Sequence, residues 1–261
     1  MKEEYILKEL KKKYPEISYL GFSLRHLALF NVDELVALLN VDVDKAYEIK
    51  LELSRILRDA RILSGKKIFS LDEVIKPKII IGELSLPLGI YKVYGERVDD
   101  FLNLFIPITL KSFPESSIIL ADCENTLNTE GIKEACIRNN VENFNYRIGI
   151  TYPTTSEELE EFFVFNVPQI IEKDSIIALL VYNVDAILGN MKSTKEKMEY
   201  LAYLIDWVRR ISIMYNVWGI FTGKYGYTKM PGKTVYVFQK GNLLYAGTEK
   251  ENALFLGEVY R

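Results

Sequence analysis

The chain has 261 residues, about half of them apolar and a quarter charged, which suits a packed core and excludes a disordered polymer. A formal net charge of -3 excludes a uniformly basic nucleic-acid coat while leaving room for a local basic strip. Two cysteines, Cys123 and Cys136, and a single histidine, His26, do not make a zinc set, and a disulfide between them would run against a reducing compartment.

The N-terminus, MKEEYILKELKKKYPE, is charged and amphipathic without an apolar signal core. No run reaches the ~18 apolar residues of a membrane helix, so the expectation is a cytoplasmic protein with no membrane partner. Scarce Gln and His beside abundant Ile, Lys and Glu match heat-adapted compositions.

Residues 1–64 read as helices. Apolar residues recur at helical spacing through Leu24, Leu27 and Phe30, then Leu35, Leu38 and Leu39, then from Ala46 to Ile62. Asp33 and Asp42 stand where helix starts are expected and are assigned as caps. Eleven basic residues balance eleven acidic ones over this span, so it shows no phosphate-binding face.

A connector, residues 65–78, leads into a different pattern over residues 79–261. Apolar strands are expected at KIIIG, GIYKVYG, SIILAD, YRIGIT, SIIALLVYN and VWGIFTG, most of them separated by helices. Thr155 with Glu158, and Ser193 with Glu196, have the spacing of capping boxes. Apolar strands alternating with helices predict a mostly parallel α/β sheet buried on both faces. The segment KTVYVFQKGNLLYAGTEKENALFLGEV predicts antiparallel strands at one edge.

The segment IILADCENTLNTEGIKEACIRNNV places Asp122, Glu124, Asn125 and Thr126 at the end of a strand, ahead of a helix. With a small helical domain in front, this resembles the archaeal RadA branch of the RecA-type recombinases, in which a strand ends in D-x-E-N-T. The resemblance covers most of the chain and fades over the last thirty or so residues. It implies a RecA-like α/β core preceded by a helix-hairpin-helix-like domain. Of that domain's glycines only Gly21 is kept, and the second hairpin position reads Asn40-Val41-Asp42.

The family's nucleotide motifs are altered here. Gly95 fits the first position of G-x-x-x-x-G-K-[ST], but Asp100 stands at the second glycine, Phe101 at the lysine and Leu102 at the hydroxyl. Phe101 cannot neutralise phosphate, and Leu102 cannot bind magnesium. Asp99 and Asp100 would each repel a phosphate charge by about 3 kcal/mol at ~5 Å and an effective dielectric of ~20. Asn183 replaces the magnesium-orienting aspartate, with Asp185 two residues on and assigned to the same strand face. Asn128 replaces the adenine-contacting arginine. Glu124, which matches the water-activating carboxylate, is thereby left without a phosphate. The expectation is no cofactor and no ATP turnover.

Two surfaces remain. Between Gly219 and Thr248 stand four lysines and no acid, and FTGKYGYTKMPGKT interleaves tyrosines with them. Lys224, Tyr225, Tyr227, Lys229 and Lys233 are therefore candidates for single-stranded DNA, lysines on phosphates and rings under bases. A solvated hairpin is the plain alternative. In RadA-like proteins a short F-x-x-A segment between the domains adds a strand to a neighbouring subunit. Ile68 and Leu71 match its anchors by position, so Ile68, Phe69 and Leu71 are partner-binding candidates, unless they pack on their own domain.

His26, Trp207 and Trp218 are expected in the core. The sequence thus points to a noncatalytic RadA-like paralogue that assists recombinational repair by binding single-stranded DNA, a RadA-type recombinase or another paralogue. The alternatives are an ATPase working through Glu124 and Asp185, or a structural subunit of another complex.

Overall fold

A computed structural model describes residues 2–63, 77–223, 232–247 and 253–258. The chain divides into two units, Met1–Ile75 and Lys76–Arg261. The candidates Ile68, Phe69, Leu71, Lys224, Tyr225, Tyr227 and Lys229 lie outside the described residues.

The first unit is helical: α1 (Lys2–Lys13), a 3-10 turn (Pro15–Ile17), α2 (Leu24–Leu29), α3 (Val32–Leu39) and α4 (Val43–Leu63). Its core gathers Leu10, Ile17, Leu24, Leu27, Leu35, Ile49 and Leu53 from all of these pieces. Local chemistry sets the boundaries. The Ser23 hydroxyl accepts from the His26 amide at 3.1 Å and starts α2. Asn31 and Glu34 form a reciprocal capping box at the start of α3. Asp33 is therefore not a cap; it lies inside the first turn, where its charge still favours the helix dipole. Asp42 does cap, accepting from the Lys45 amide at 2.8 Å. Between α3 and α4, Asn40 adopts φ 52°, the left-handed conformation for which glycine is usual and asparagine the common substitute. His26 is fully buried and lies against Phe22 and Phe30, with ring centroids 4.1 and 5.7 Å away.

The second unit is α/β with a largely parallel central sheet. A hairpin of β1 (Lys78–Ile81) and β2 (Leu84–Pro87) precedes β3 (Ile90–Gly95), α5 (Val98–Ser112), β4 (Ser117–Asp122), α6 (Thr129–Arg138) and β5 (Ile148–Thr151). Then come α7 (Ser156–Glu161), a π-helical turn (Phe162–Asn166), α8 (Val167–Lys173), β6 (Ile176–Tyr182), α9 (Asp185–Gly189), α10 (Thr194–Tyr215) and β7 (Trp218–Gly223). Strands β8 (Lys233–Lys240), β9 (Leu243–Gly247) and β10 (Leu254–Glu258) complete the described residues. As expected, Thr155 and Ser193 accept from the amides of Glu158 and Glu196 and start α7 and α10.

The sheet has eight strands among the described residues, in the order β10-β9-β8-β3-β7-β6-β4-β5. From β8 to β5 every pairing is parallel, whereas β9 and β10 add an antiparallel edge. Alternation along each strand feeds two cores. Val93, Ile118, Leu120, Leu180 and Ile220 join Phe101, Phe105 and Ile106 of α5 and Ile132 of α6 in one cluster. The intervening residues Lys92, Tyr94 and Phe221 lie beside Leu201 and Ile205 of α10. Trp207 and Trp218 are fully buried; the Trp218 indole donates to the Leu86 carbonyl at 3.1 Å and ties the hairpin to the sheet.

Candidate functional site at the carboxyl ends of the strands

Helix α6 packs with α5 on one face of the sheet, while α10 serves the other. Adjacent strands β4 and β6 therefore send their chains to opposite faces, which opens a crevice between their carboxyl ends. In parallel α/β sheets this is where ligands bind. Two turns meet there: the one joining β3 to α5, and the one leaving β4.

The first turn is short. Gly95 ends β3, only Glu96 and Arg97 intervene, and α5 begins at Val98. A phosphate loop needs several more residues of open backbone to point its amides at an anion. Gly95 has φ 130°, and a Cβ there would collide with the Val237 carbonyl of β8. This glycine thus serves the close approach of two strands. Phe101 and Leu102 are fully buried in the cluster under the sheet, Phe101 stacked on Phe105 at 5.8 Å. They leave the crevice rather than fill it. Asp100 pairs with Arg97, and Asp99 accepts from the Tyr182 hydroxyl at 2.7 Å. Burial, reinforced by the Asp99 carboxylate, raises the Tyr182 phenol well above its ordinary pKa. The hydroxyl is thereby held as a neutral donor.

The second turn is built by the residues of the D-x-E-N-T segment themselves. Asp122 is 2% exposed, and its carboxylate accepts from the amides of Glu124 (3.2 Å) and Leu127 (3.0 Å). Asn125 supplies a left-handed residue at φ 56°. Asn128 caps α6 by accepting from the Gly131 amide at 2.9 Å. Glu124 is exposed; its Oε2 accepts from the Thr126 hydroxyl at 3.2 Å and from Asn183 Nδ2. Asn183, at φ 51°, turns the chain out of β6, and its amide donates to the buried Thr222 hydroxyl of β7 at 2.9 Å.

That turn corrects the reading of Asp185. The left-handed residue ends the strand, so Asp185 begins α9 instead of sharing a strand face with Asn183. The structure thus gathers Asp99, Glu124 and Asn183 at one edge, with Tyr182 and Thr126 as donors. Among the described residues no group of acids and ring nitrogens is placed to hold a metal ion. The residues present do not fit a nucleotide with its magnesium: the β3–α5 connection is a closed two-residue turn, and the groups at this edge are two acids and an amide.

One buried group was not picked out in the sequence. Lys92 lies in the middle of β3, 4% exposed, beside a cavity of about 10 Å³ lined also by Tyr94, Val184 and Thr222. Burial lowers its pKa. The signal was a lysine inside the apolar strand GIYKVYG. Lys233, the described member of the basic loop, is exposed at the start of β8, 5.8 Å from the Tyr91 ring.

Cys123 and Cys136 are both buried and free of any disulfide. Burial pushes their thiols up to about 12 and about 11, so neither is a nucleophile near neutral pH. No described helix is long and apolar enough to cross a membrane. No family model matches the chain, and no curated protein matches it.

Proposed function

We propose that this protein is a noncatalytic RadA-like accessory with a RecA-type core, acting in recombinational repair by binding single-stranded DNA and a recombinase subunit. The observation that carries the reading is the pairing of a retained D-x-E-N-T turn with a closed β3–α5 turn at the same crevice. The motif persists because Asp122 holds backbone amides. The phosphate loop is lost because its residues have joined the core as Phe101 and Leu102. A helical unit ahead of the α/β unit, turned at Asn40, fits the helix-hairpin-helix-like domain of the same family.

DNA contact is assigned to Lys224, Tyr225, Tyr227 and Lys229, which follow β7 in the chain, and to Lys233 at the start of β8. Partner contact is assigned to the connector residues Ile68, Phe69 and Leu71. An edge to receive a strand exists on the α/β unit: β5 closes the sheet on one side and is flanked by Tyr146 (90% exposed) and Tyr152 (49% exposed).

The reading is tested by titrating fluorescent ATP and labelled single-stranded DNA into the purified protein at two salt concentrations. Absent ATP binding with salt-sensitive DNA binding is the expected result. Magnesium-dependent ATP binding would overturn it.

A further inference from the structure

Donors and acceptors at the carboxyl-edge crevice are unequal in number. Asp99 stands in the first turn of α5, and its carboxylate accepts from the Tyr182 hydroxyl of β6 at 2.7 Å. The Thr126 hydroxyl lies beside that of Tyr182 and donates to Glu124 at 3.2 Å. Asn183 Nδ2 donates to the same Glu124 oxygen, and the Asn183 backbone amide donates to Thr222. Two carboxylates are thus linked through two hydroxyls and one amide, and each of these donors is already committed. Arg97, the basic residue of the β3–α5 turn, pairs with Asp100.

One acceptor is left over. Asn183 is 8% exposed, and its Oδ1 is buried and accepts no hydrogen bond among the described residues. Asn183 turns the chain out of β6 in the left-handed conformation, and its side chain crosses the crevice to Glu124 in the turn leaving β4. The side-chain amide is planar, so with Nδ2 fixed on Glu124 the Oδ1 atom stays beside that carboxylate. A buried carbonyl oxygen without a donor is uncommon, and it calls for a group that brings hydrogens.

The neighbouring charge says which kind of group. Glu124 and Asp99 are exposed carboxylates of one hydrogen-bonded network. An anion would meet two like charges there, and a neutral hydroxyl would answer Oδ1 but not the acids beside it. A metal ion needs its oxygens gathered about 2.0–2.6 Å from one point. Here the hydroxyls of Thr126 and Tyr182 stand between the two acids, and no metal-holding group forms among the described residues. An ammonium or guanidinium ion carries several N–H donors, accepts nothing, and reaches its partners at hydrogen-bond length.

We infer that this crevice binds an organic cation, an alkylammonium or guanidinium group, between Asn183 Oδ1 and the carboxylates of Glu124 and Asp99. A free amine and a basic side chain of a polypeptide present the same chemistry, and the test separates them. The site takes the charge opposite to a nucleotide's and is independent of DNA contact.

The test is isothermal titration of the full chain with three probes: spermidine, a short end-blocked peptide carrying one lysine and one arginine, and magnesium chloride. A cationic probe should bind at one site with Kd below about 1 mM, and more tightly than magnesium. Tighter binding of spermidine identifies a free amine as the source, and tighter binding of the peptide a basic side chain. The double variant Asp99→Asn with Glu124→Gln keeps the side-chain shapes and should weaken binding about tenfold or more. Glu115→Gln with Glu142→Gln removes the same charge at the opposite end of the strands and should weaken it less than about twofold. Asn183→Gly removes Oδ1 while permitting the left-handed backbone, and should weaken binding about fivefold. Asn183→Asp exchanges the Nδ2 donor for a second acceptor and should tighten it by about as much.

Equal weakening by the two double variants would assign the binding to acidic surface at large and overturn the site. Magnesium binding more tightly than both cationic probes would make it a metal site instead. Absence of binding by either cationic probe up to about 10 mM would remove the inference while leaving the DNA reading untouched.

Discussion

The two turns at the carboxyl edge of the sheet are built in opposite ways. The turn after β4 is held by its own polar side chains, while the turn after β3 is short and leads directly into buried apolar residues. The difference lies in what each residue holds. Asp122 accepts two backbone amides, of which that of Leu127 would otherwise be buried without a partner, so the fold needs it whether or not a ligand is present. Phe101 and Leu102, in the first turn of α5, serve packing alone, both at 0% exposure. An acidic segment such as D-x-E-N-T at such an edge is therefore evidence about a turn before it is evidence about a reaction.

The comparison is broken most severely by Phe101→Lys, which places at this position the residue type of a phosphate loop. The side chain sits at 0% exposure in an apolar cluster. Loss of the ring and burial of an amine should cost about 5 kcal/mol, without creating ATP affinity. Urea unfolding measures the first claim and ATP titration the second. A stable variant that binds ATP would mean that the turn after β3 can still open.

Asp122→Ala attacks the other turn. It strands the amides of Glu124 and Leu127, and the expected loss is about 3 kcal/mol, since hydrogen bonds to a charged acceptor are among the stronger ones. A change below about 1 kcal/mol in the urea midpoint analysis would show that the turn is held by something other than this carboxylate.

An alkaline titration sharpens the comparison from the side of the strands. The Tyr91 hydroxyl donates to the Pro87 carbonyl at 2.5 Å, and burial pushes its pKa up to about 12; Tyr182 and Tyr200 are raised as well, burial again the leading cause. For each phenol the folded state favours the neutral form. That contribution is complete below the unfolded value of about 10 and is lost as pH rises through the folded values, at roughly 2 kcal/mol for Tyr91. Tyrosinate absorbance should lag behind that of the unfolded chain above pH ~10, and stability should fall over the same range. Substituting Tyr182→Phe removes the donor to Asp99 and one of the lagging phenols together.

Much of this was legible in the sequence, for reasons tied to particular residues. Strands β3, β4, β6 and β7 announce themselves as apolar runs because they are largely buried on both faces, and α7 and α10 because Thr155 and Ser193 cap them. Other features depend on distance in space. Strand β2 is the four-residue segment LSLP, too short and mixed to declare itself without β1 beside it. Asn31 takes the cap expected of Asp33, a choice between neighbours that only backbone geometry makes. Asp185 shares a strand face with Asn183 only if the strand continues, and the left-handed backbone at Asn183 stops it. The ring contacts that run from Tyr94 through Tyr236, Phe238 and Tyr245 to Phe255 draw on β3, β8, β9 and β10 and depend on their register. Lys92 looks like any strand lysine until α10 is laid over it.

The finest test concerns Glu124, where the turns meet. An ATPase would use its carboxylate on water, and Glu124→Gln would then abolish turnover. In the arrangement seen here, Glu124 accepts hydrogen bonds from Thr126 and from Asn183 Nδ2 at an exposed position. The amide oxygen of glutamine keeps an acceptor of the same shape, so stability should change by no more than about 0.5 kcal/mol, the range of ordinary surface substitutions. A fall in phosphate release on Glu124→Gln, with folding unchanged, would return the retained motif from the turn to a reaction. It would also show that a water can be activated beside a phosphate held by something other than the β3–α5 turn.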